Sequence, residues 1–296
     1  MKLLVTGASG FIGSRLVRAA SASLGPENVI AFSSTQSHPC PSVVYRGSNF
    51  NFGERDIALL ETAEVLIHVG AFIPKDRLQA NAIEECNGNI SFTEQLLALP
   101  LGGLKKVIYI STVDVYEPAE LTTEDTLTLP SSLYGWSKLY CERMTTIFAA
   151  NRDIASQILR IGHVYGPGEE KYAKFLPKAI KNIVAGEAVE LWGDGSEIRS
   201  MIYIDDVVAA ILQACNLPRD VSPINVVGGA PVSIRALLKN LIAISGSPVA
   251  ISEKESSGDK RNYVFDNSKM RQHLLPKETD LITGLGAEYA HIAGMK

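Results

Sequence analysis

Short apolar runs alternate with longer amphipathic segments along the 296-residue chain, and this alternation sets the fold class. Lys2-Leu3-Leu4-Val5 is too brief for a helix and suits a buried parallel strand. Phe11, Ile12, Leu16 and Val17 then recur at helical spacing, with Arg15 and Arg18 between them. Further strands are predicted over 27–32, 43–45, 65–69 and 105–110. Between them fall a short helix over 56–61 and a longer one over 89–97, whose Ile90, Phe92, Thr93, Leu96 and Leu97 form an apolar face. Strands that alternate with helices in this way predict an α/β protein with a doubly wound parallel sheet of Rossmann type.

The first strand-to-helix junction carries chemistry. Thr6-Gly7-Ala8-Ser9-Gly10-Phe11-Ile12-Gly13 places its glycines where a strand turns into a helix. Gly7 permits the tight turn, Gly10 lets a pyrophosphate approach the backbone, and Gly13 lets the helix pack on the strand. The helix start then faces the phosphates with free N–H groups and a positive dipole. In that context Gly7, Ser9, Gly10, Phe11, Ile12 and Gly13 are candidate dinucleotide contacts. The second strand ends at Ser33-Ser34-Thr35 with no Asp or Glu to hold a ribose 2′-hydroxyl. Hydroxyls there accept a 2′-phosphate, so NADP is slightly favoured over NAD. Gly70 and Ala71 follow the 65–69 strand at its C-terminal edge, where ligands bind in an open parallel sheet. His68, inside the apolar run, reads as a core histidine with satisfied hydrogen bonds rather than as a base.

The strand over 105–110 runs into Ser111-Thr112-Val113-Asp114-Val115-Tyr116, and Tyr134-Gly135-Trp136-Ser137-Lys138 opens a later helix. Tyr134 and Lys138, four apart, share one helix face. An ammonium beside a phenol lowers the phenol's pKa from about 10. A tyrosine so tuned exchanges a proton with an alcohol or ketone.

The spacing G-x-x-G-x-x-G, the Ser/Thr strand end and Y-x-x-x-K, in that order, resemble the extended short-chain dehydrogenase/reductases, the NAD(P)-dependent epimerase/dehydratase family acting on nucleotide sugars. Later matches are Leu159-Arg160-x-x-x-Val164-Tyr165-Gly166-Pro167-Gly168, Gly193-Asp194-Gly195-x-x-Arg199-x-x-Ile202-Tyr203-x-Asp205-Asp206, and Gly258-Asp259 with Asp266-x-Ser268-Lys269. The resemblance implies a cofactor domain over 1–164, to which 201–227 returns, and a substrate lobe over 165–296. It implies Thr112 as hydrogen-bond donor to the sugar oxygen, Tyr134 as acid/base, and Lys138 on the nicotinamide ribose, with Ser111 beside them. Arg199 matches an arginine that pairs with the substrate diphosphate. His163 replaces the usual Asn before Val-Tyr-Gly-Pro. Ser256 falls where many relatives carry a second diphosphate arginine, which Lys260 or Arg261 could replace. Val113-Asp114 replaces the Asp-Glu pair of sugar 4,6-dehydratases, which argues against 4,6-dehydration.

The remaining readings are a nucleotide-sugar 4-ketoreductase, slightly favoured by the missing ribose carboxylate, and a 4-epimerase with bound NAD. A non-catalytic redox sensor on the same fold is disfavoured by the intact Thr112, Tyr134 and Lys138. The resemblance also implies a homodimer formed through helices over about 79–98 and 134–150, with Leu139, Met144, Ile147 and Phe148 as candidate apolar contacts.

Composition changes this picture little. Hydrophobic content of 46% and charged content of 20% describe an ordinary globular protein, and a net charge of −4 offers no basic stripe for nucleic acid. Four dispersed cysteines form no CxxC pair or His/Cys cluster and read as reduced thiols, with no metal site. No apolar run reaches the ~18–20 residues that cross a bilayer. A strand begins at the N-terminus, where a signal peptide would stand, so a cytoplasmic protein is expected.

Overall fold

The computed structural model describes all residues except 35–39, 41, 46, 48–49, 173, 220, 256–259, 261 and 296. The chain divides into two compact units. Unit 1 comprises 1–117, 126–161 and 208–224, and unit 2 comprises 118–125, 162–207 and 225–296.

Unit 1 is built on parallel strands. In chain order its elements are β1 (Leu3–Thr6), α1 (Phe11–Leu24), β2 (Val29–Ser33), β3 (Val43–Tyr45), α2 (Glu54–Glu61), β4 (Val65–His68), α3 (Ile83–Leu97), β5 (Lys106–Thr112), α4 (Leu133–Asn151) and β6 (Ala155–Ile161). The seven-stranded sheet has the order β11-β6-β5-β4-β1-β2-β3, where β11 is Ile224–Val226. β1 pairs in parallel with both β2 and β4, Leu4 lying opposite Ile30 and Leu66. Every residue of β1, β2, β4 and β5 is buried, as expected for strands covered on both faces.

Most sequence-predicted elements appear with shifted ends. The second strand starts at Val29 because Pro26–Asn28 forms a 3₁₀ turn, Pro26 fixing its first φ. The helix expected over 89–97 begins six residues earlier, at Ile83, with Glu84 and Glu85 in its first turn favouring the helix dipole. Its core packs Leu96 and Leu97 with Leu60, Leu66, Leu101 and Phe32. Each such side chain contributes about 1.5–3 kcal/mol on burial. Phe50, Phe52 and Phe92 surround Phe32 with ring centroids 5.8–6.5 Å from it.

Unit 2 holds β7 (His163–Tyr165), α5 (Phe175–Ala185), β8 (Val189–Trp192), β9 (Ile198–Arg199), β10 (Met201–Tyr203), β12 (Val232–Ser233), α7 (Ile234–Ser245), β13 (Ile251–Lys254), α8 (Ser268–His273) and α9 (Leu281–Ala293). α6 (Ile204–Ala214) begins in unit 2 and ends in unit 1. The strands form three small pairs, β7 with β10, β9 with β12 and β8 with β13. Leu176, Ile180, Ile183, Leu237, Leu238, Leu241, Leu285 and Ile292 from α5, α7 and α9 close the core of unit 2. No helix among the described residues is long and apolar enough to cross a membrane.

Candidate active site

The β1–α1 turn is a cradle that only glycine can form. Gly7 has φ +64°, and a Cβ there would stand 2.7 Å from the Gly70 backbone. A Cβ on Gly13 would stand 2.1 Å from the Gly7 carbonyl oxygen, so α1 could not seat on β1. Gly10, the N-cap of α1, supplies no side-chain cap, and no acidic residue lies in the first turn. The positive end of the helix is therefore not neutralised by its own side chains. These features fit a dinucleotide pyrophosphate. Ser9 is exposed and Phe11 and Ile12 are half-buried at the same turn. Ser33 is buried at the end of β2, Ser34 is exposed beyond it, and Thr35 lies outside the described residues.

A buried polar chain runs beneath this cradle. The Gly70 N–H donates to Thr6 Oγ1 at 3.0 Å, and Thr6 Oγ1 lies 2.8 Å from His68 Nδ1. His68 Nε2 lies 3.0 Å from Thr93 Oγ1, which donates to the Asn89 carbonyl at 2.8 Å. This directionality makes Nδ1 an acceptor and Nε2–H a donor, one neutral tautomer. Burial, and then the Lys138 charge, lower the His68 pKa to about 3. Asn89 continues the chain, its side chain reaching Ser137 Oγ at 3.3 Å while Ser137 Oγ donates to the Tyr134 carbonyl at 2.8 Å. Ala71 is half-buried next to Gly70.

Thr112 and Tyr134 meet at the C-terminal end of β5. Ser132 caps α4, its side chain accepting the Gly135 N–H at 3.2 Å, and thereby fixes where Tyr134 and Lys138 start the helix. Gly135 is required here because a Cβ would lie 2.5 Å from the Asp114 carbonyl oxygen. The Tyr134 phenol is hydrogen-bonded to the Thr112 side chain, and Thr112 donates to Asp114 Oδ2 at 3.1 Å. Lys138 Nζ donates to the Ile110 carbonyl at 2.7 Å and sits 4.4 Å from the Tyr109 ring centroid.

The electrostatics differ from the sequence expectation. Burial, with the Asp114 carboxylate beside it, raises the Tyr134 pKa well above its ordinary value. Burial pushes Lys138 down to about 8. The Lys138 ammonium is engaged by the Ile110 carbonyl and the Tyr109 face, so its position does not offset the desolvation of the phenol.

Glu142, one turn beyond Lys138 on the same buried face, was not singled out by sequence. It accepts from Ser111 Oγ at 2.6 Å and takes two bonds from Arg160, at 3.0 and 2.8 Å. The signal for it was a carboxylate at i+4 and i+8 from Lys138 and Tyr134, on a helix face already assigned to the interior.

In unit 2, Arg199 Nη2 pairs with Glu197 at 2.8 Å, and its guanidinium lies 5.0 Å from the Tyr263 ring. The His163 ring packs edge-on against the same tyrosine at 4.9 Å. The two predicted substrate residues of this unit thus share one aromatic platform. Lys260 binds Asp194 at 2.6 Å and Ser196 at 3.1 Å. Ser256, Gly258, Asp259 and Arg261 lie outside the described residues.

Comparison with known proteins agrees with these motifs. The family model described as NAD dependent epimerase/dehydratase family matches residues 3–228. A UDP-glucose 4-epimerase from Mycolicibacterium smegmatis is 30% identical over 293 residues, covering 93% of this chain and 92% of the relative. A dTDP-glucose 4,6-dehydratase from Streptomyces griseus is 28% identical, over 97% and 93% of the two chains. Among solved structures, a UDP-glucuronic acid 4-epimerase from Bacillus cereus, in complex with UDP-glucuronic acid and NAD, is 28% identical over the whole of both chains, with a TM-score of 0.83. The matched segment contains the glycine cradle, Thr112, Tyr134 and Lys138, and the chain belongs to the NAD-dependent epimerase/dehydratase family, enzymes of the extended short-chain dehydrogenase type that act on nucleotide sugars.

Proposed function

We propose that the chain catalyses oxidoreduction at C4 of a nucleotide sugar in the manner of a 4-epimerase, with NAD held over the glycine cradle. The observation that carries this reading is the contact of Tyr134 with Thr112 at the end of β5, with Lys138 one turn along the same helix. Gly7, Ser9, Gly10, Phe11, Ile12 and Gly13 would hold the pyrophosphate, Ser33 and Ser34 the adenosine ribose, and Gly70, Ala71 and Ser111 the floor. The nicotinamide, when bound, supplies the hydride acceptor and donor. Thr112 orients the sugar oxygen and Tyr134 exchanges a proton with it. Lys138, which donates to the Ile110 carbonyl, would hold the nicotinamide ribose. Arg199 and His163 would take the diphosphate and the sugar, with 165–296 as substrate lobe and 1–164, joined by 201–227, as cofactor domain. Val113 offers no acid, so the reading does not extend to 4,6-dehydration.

A 4-ketoreductase using NADPH is the second reading. Two observations favour it: β2 ends at serines with no following carboxylate, and burial with the Asp114 charge raises the Tyr134 pKa and so favours its protonated form. Native mass spectrometry separates the two. Retained NAD supports the epimerase, and an empty protein that takes up NADPH supports the reductase. Tyr134→Phe tests both, since it removes only the phenolic hydroxyl. Turnover of UDP-glucose or UDP-glucuronic acid is expected to fall by about 10²–10⁴-fold with cofactor affinity retained. Intact turnover would make Tyr134 a structural phenol.

We further infer a homodimer. Met144 and Phe148 pack partly against the core of unit 1, contrary to the contacts expected for them. Ile83, Trp136, Tyr140 and Ile147, each 46–68% exposed, instead present an apolar surface on α3 and α4. A two-fold interface through this surface would cover them. A monomer in sedimentation at micromolar concentration would refute it. A cytoplasmic location fits the four buried, unbridged cysteines.

A further inference from the structure

Thr112 has one hydroxyl proton and two lone pairs, and unit 1 shows where the proton goes. Thr112 Oγ1 donates to Asp114 Oδ2 at 3.1 Å. The same oxygen accepts the Asp114 N–H at 3.2 Å, an arrangement locked because Thr112 is the N-cap of the 3₁₀ turn Val113–Val115. The remaining lone pair is left for the phenol of Tyr134, which is hydrogen-bonded to this side chain. Tyr134 must then be the donor in that bond, and a phenol that donates is a protonated phenol. The carboxylate of Asp114 stands one hydroxyl away from it. Thr112 and Tyr134 are more than nine-tenths buried and Asp114 is half-buried, so water screens the charge only in part.

We propose that Asp114 is a positioning residue that sets the protonation of Tyr134: by holding the Thr112 proton and placing a negative charge behind it, Asp114 keeps Tyr134 in its acid form. This rests on the catalytic reading of Tyr134 above. The proton transfer it governs is simple. The Tyr134 Oη–H bond breaks as a proton passes to the sugar oxygen, leaving a phenolate that Asp114 disfavours and that recovers its proton from the next sugar hydroxyl or from solvent. Asp114 thereby favours the half-reaction in which Tyr134 donates a proton and the keto-sugar is reduced over the half-reaction in which Tyr134 accepts one. It also competes with substrate for the Thr112 hydroxyl, so substrate must draw that proton away from Asp114 when it binds. Burial first and then the Asp114 charge raise the Tyr134 pKa, with a smaller push from Cys86 and against a lowering from the Thr112 bond, while Lys138 one turn along α4 is held by the Ile110 carbonyl.

The test is a pH titration of protein labelled with ¹³Cζ-tyrosine, without cofactor, the Tyr134 resonance being assigned by its loss in Tyr134→Phe. In the native protein this resonance is expected to stay at its protonated position beyond the ordinary tyrosine midpoint of about 10. Asp114→Asn keeps an oxygen to accept the Thr112 proton and removes only the charge. Its Tyr134 titration is expected to move at least about one pH unit lower, the usual scale for removing a neighbouring like charge. Asp114→Glu should restore native behaviour. If the Asn variant does not fold, Asp114→Ala is expected to show the same downward displacement. A Tyr134 titration unchanged in Asp114→Asn, or displaced equally in Asp114→Glu, overturns the proposal. These outcomes are separate from the catalytic reading, which fails if Tyr134→Phe turns over normally, whatever Asp114 does to the titration.

Discussion

Each unit buries a carboxylate cluster, and the two are solved in opposite ways. In unit 1, Glu142 meets Arg160 through two charge-assisted bonds and accepts a third from Ser111, both ionic side chains being 7% exposed. One negative charge faces one positive charge, and Tyr116 stacks beneath the guanidinium at 4.7 Å. In unit 2, Glu169 and Glu288 face each other, and among the described residues Lys174, 2.7 Å from Glu169, is the cation paired with them. Read as a carboxylate, Glu288 has little beyond the Lys174 charge and the Gly166 N–H to offset the Glu169 charge. Read as an acid, it donates to Glu169. Burial and the Glu169 charge push Glu288 up to about 9, so two carboxyls and one ammonium share one extra proton. Glu170 and His291, 3.5 Å apart, are the neighbouring ionisable pair. Matched charges make the first cluster a fixed support, and the mismatch makes the second sensitive to pH.

The largest expected effect lies in the matched pair. Arg160→Met strands the Glu142 charge in the interior, and a stability loss of about 3–5 kcal/mol is expected in urea unfolding. Replacing both, Glu142→Gln with Arg160→Met, should recover part of that loss, because no buried charge remains unpaired. A double variant no more stable than Arg160→Met would show that this cluster is held by packing instead of charge pairing.

The mismatched pair is tested by pH. Glu288 has a raised folded pKa, so the folded state binds more protons than the unfolded state between about 4.5 and 9. The contribution is fully present below about 4.5 and is lost as pH rises through about 9. Over that window Glu288 adds a downward slope of at most about 1.4 kcal/mol per pH unit. Glu288→Gln should flatten this slope in unfolding measured at several pH values. An unchanged slope would place the extra proton elsewhere.

The smallest effect concerns Lys138, a buried charge of unit 1 with a carbonyl and a ring as partners rather than a carboxylate. Its folded pKa is depressed to about 8, so its charged form weakens the fold at neutral pH, and stability returns as pH rises from about 8 to 10.5. Lys138→Met is therefore expected to abolish turnover while leaving the melting temperature unchanged or a few degrees higher. A marked fall in melting temperature would mean that the bond to the Ile110 carbonyl outweighs the cost of burying the charge.

Local chemistry made much of the site legible in the sequence. Glycine at 7 and 13 is demanded by a left-handed φ and by the close Gly7 carbonyl, both within eight residues of chain, and the i, i+4 pair Tyr134 and Lys138 follows from helix geometry alone. Alternation of apolar strands with amphipathic helices likewise determined the parallel sheet, because each strand must be covered on both faces. Contacts between distant segments were not legible. Nothing local to Gly70 shows that it must pass 2.7 Å from a Cβ at Gly7, nor does Glu142 announce an arginine 18 residues away. The sequence rule that a lysine lowers the pKa of a tyrosine one turn away also met a tertiary fact. Burial, the Ile110 carbonyl and Asp114 reverse its sign here, because desolvation depends on everything that surrounds a group. Periodicity and steric exclusion are properties of a few neighbouring residues, so the chain alone determined the sheet, the cradle and the helix face that carries Tyr134 and Lys138. Protonation and charge pairing depend on the dielectric and on partners brought from far along the chain, so only the tertiary structure decided them.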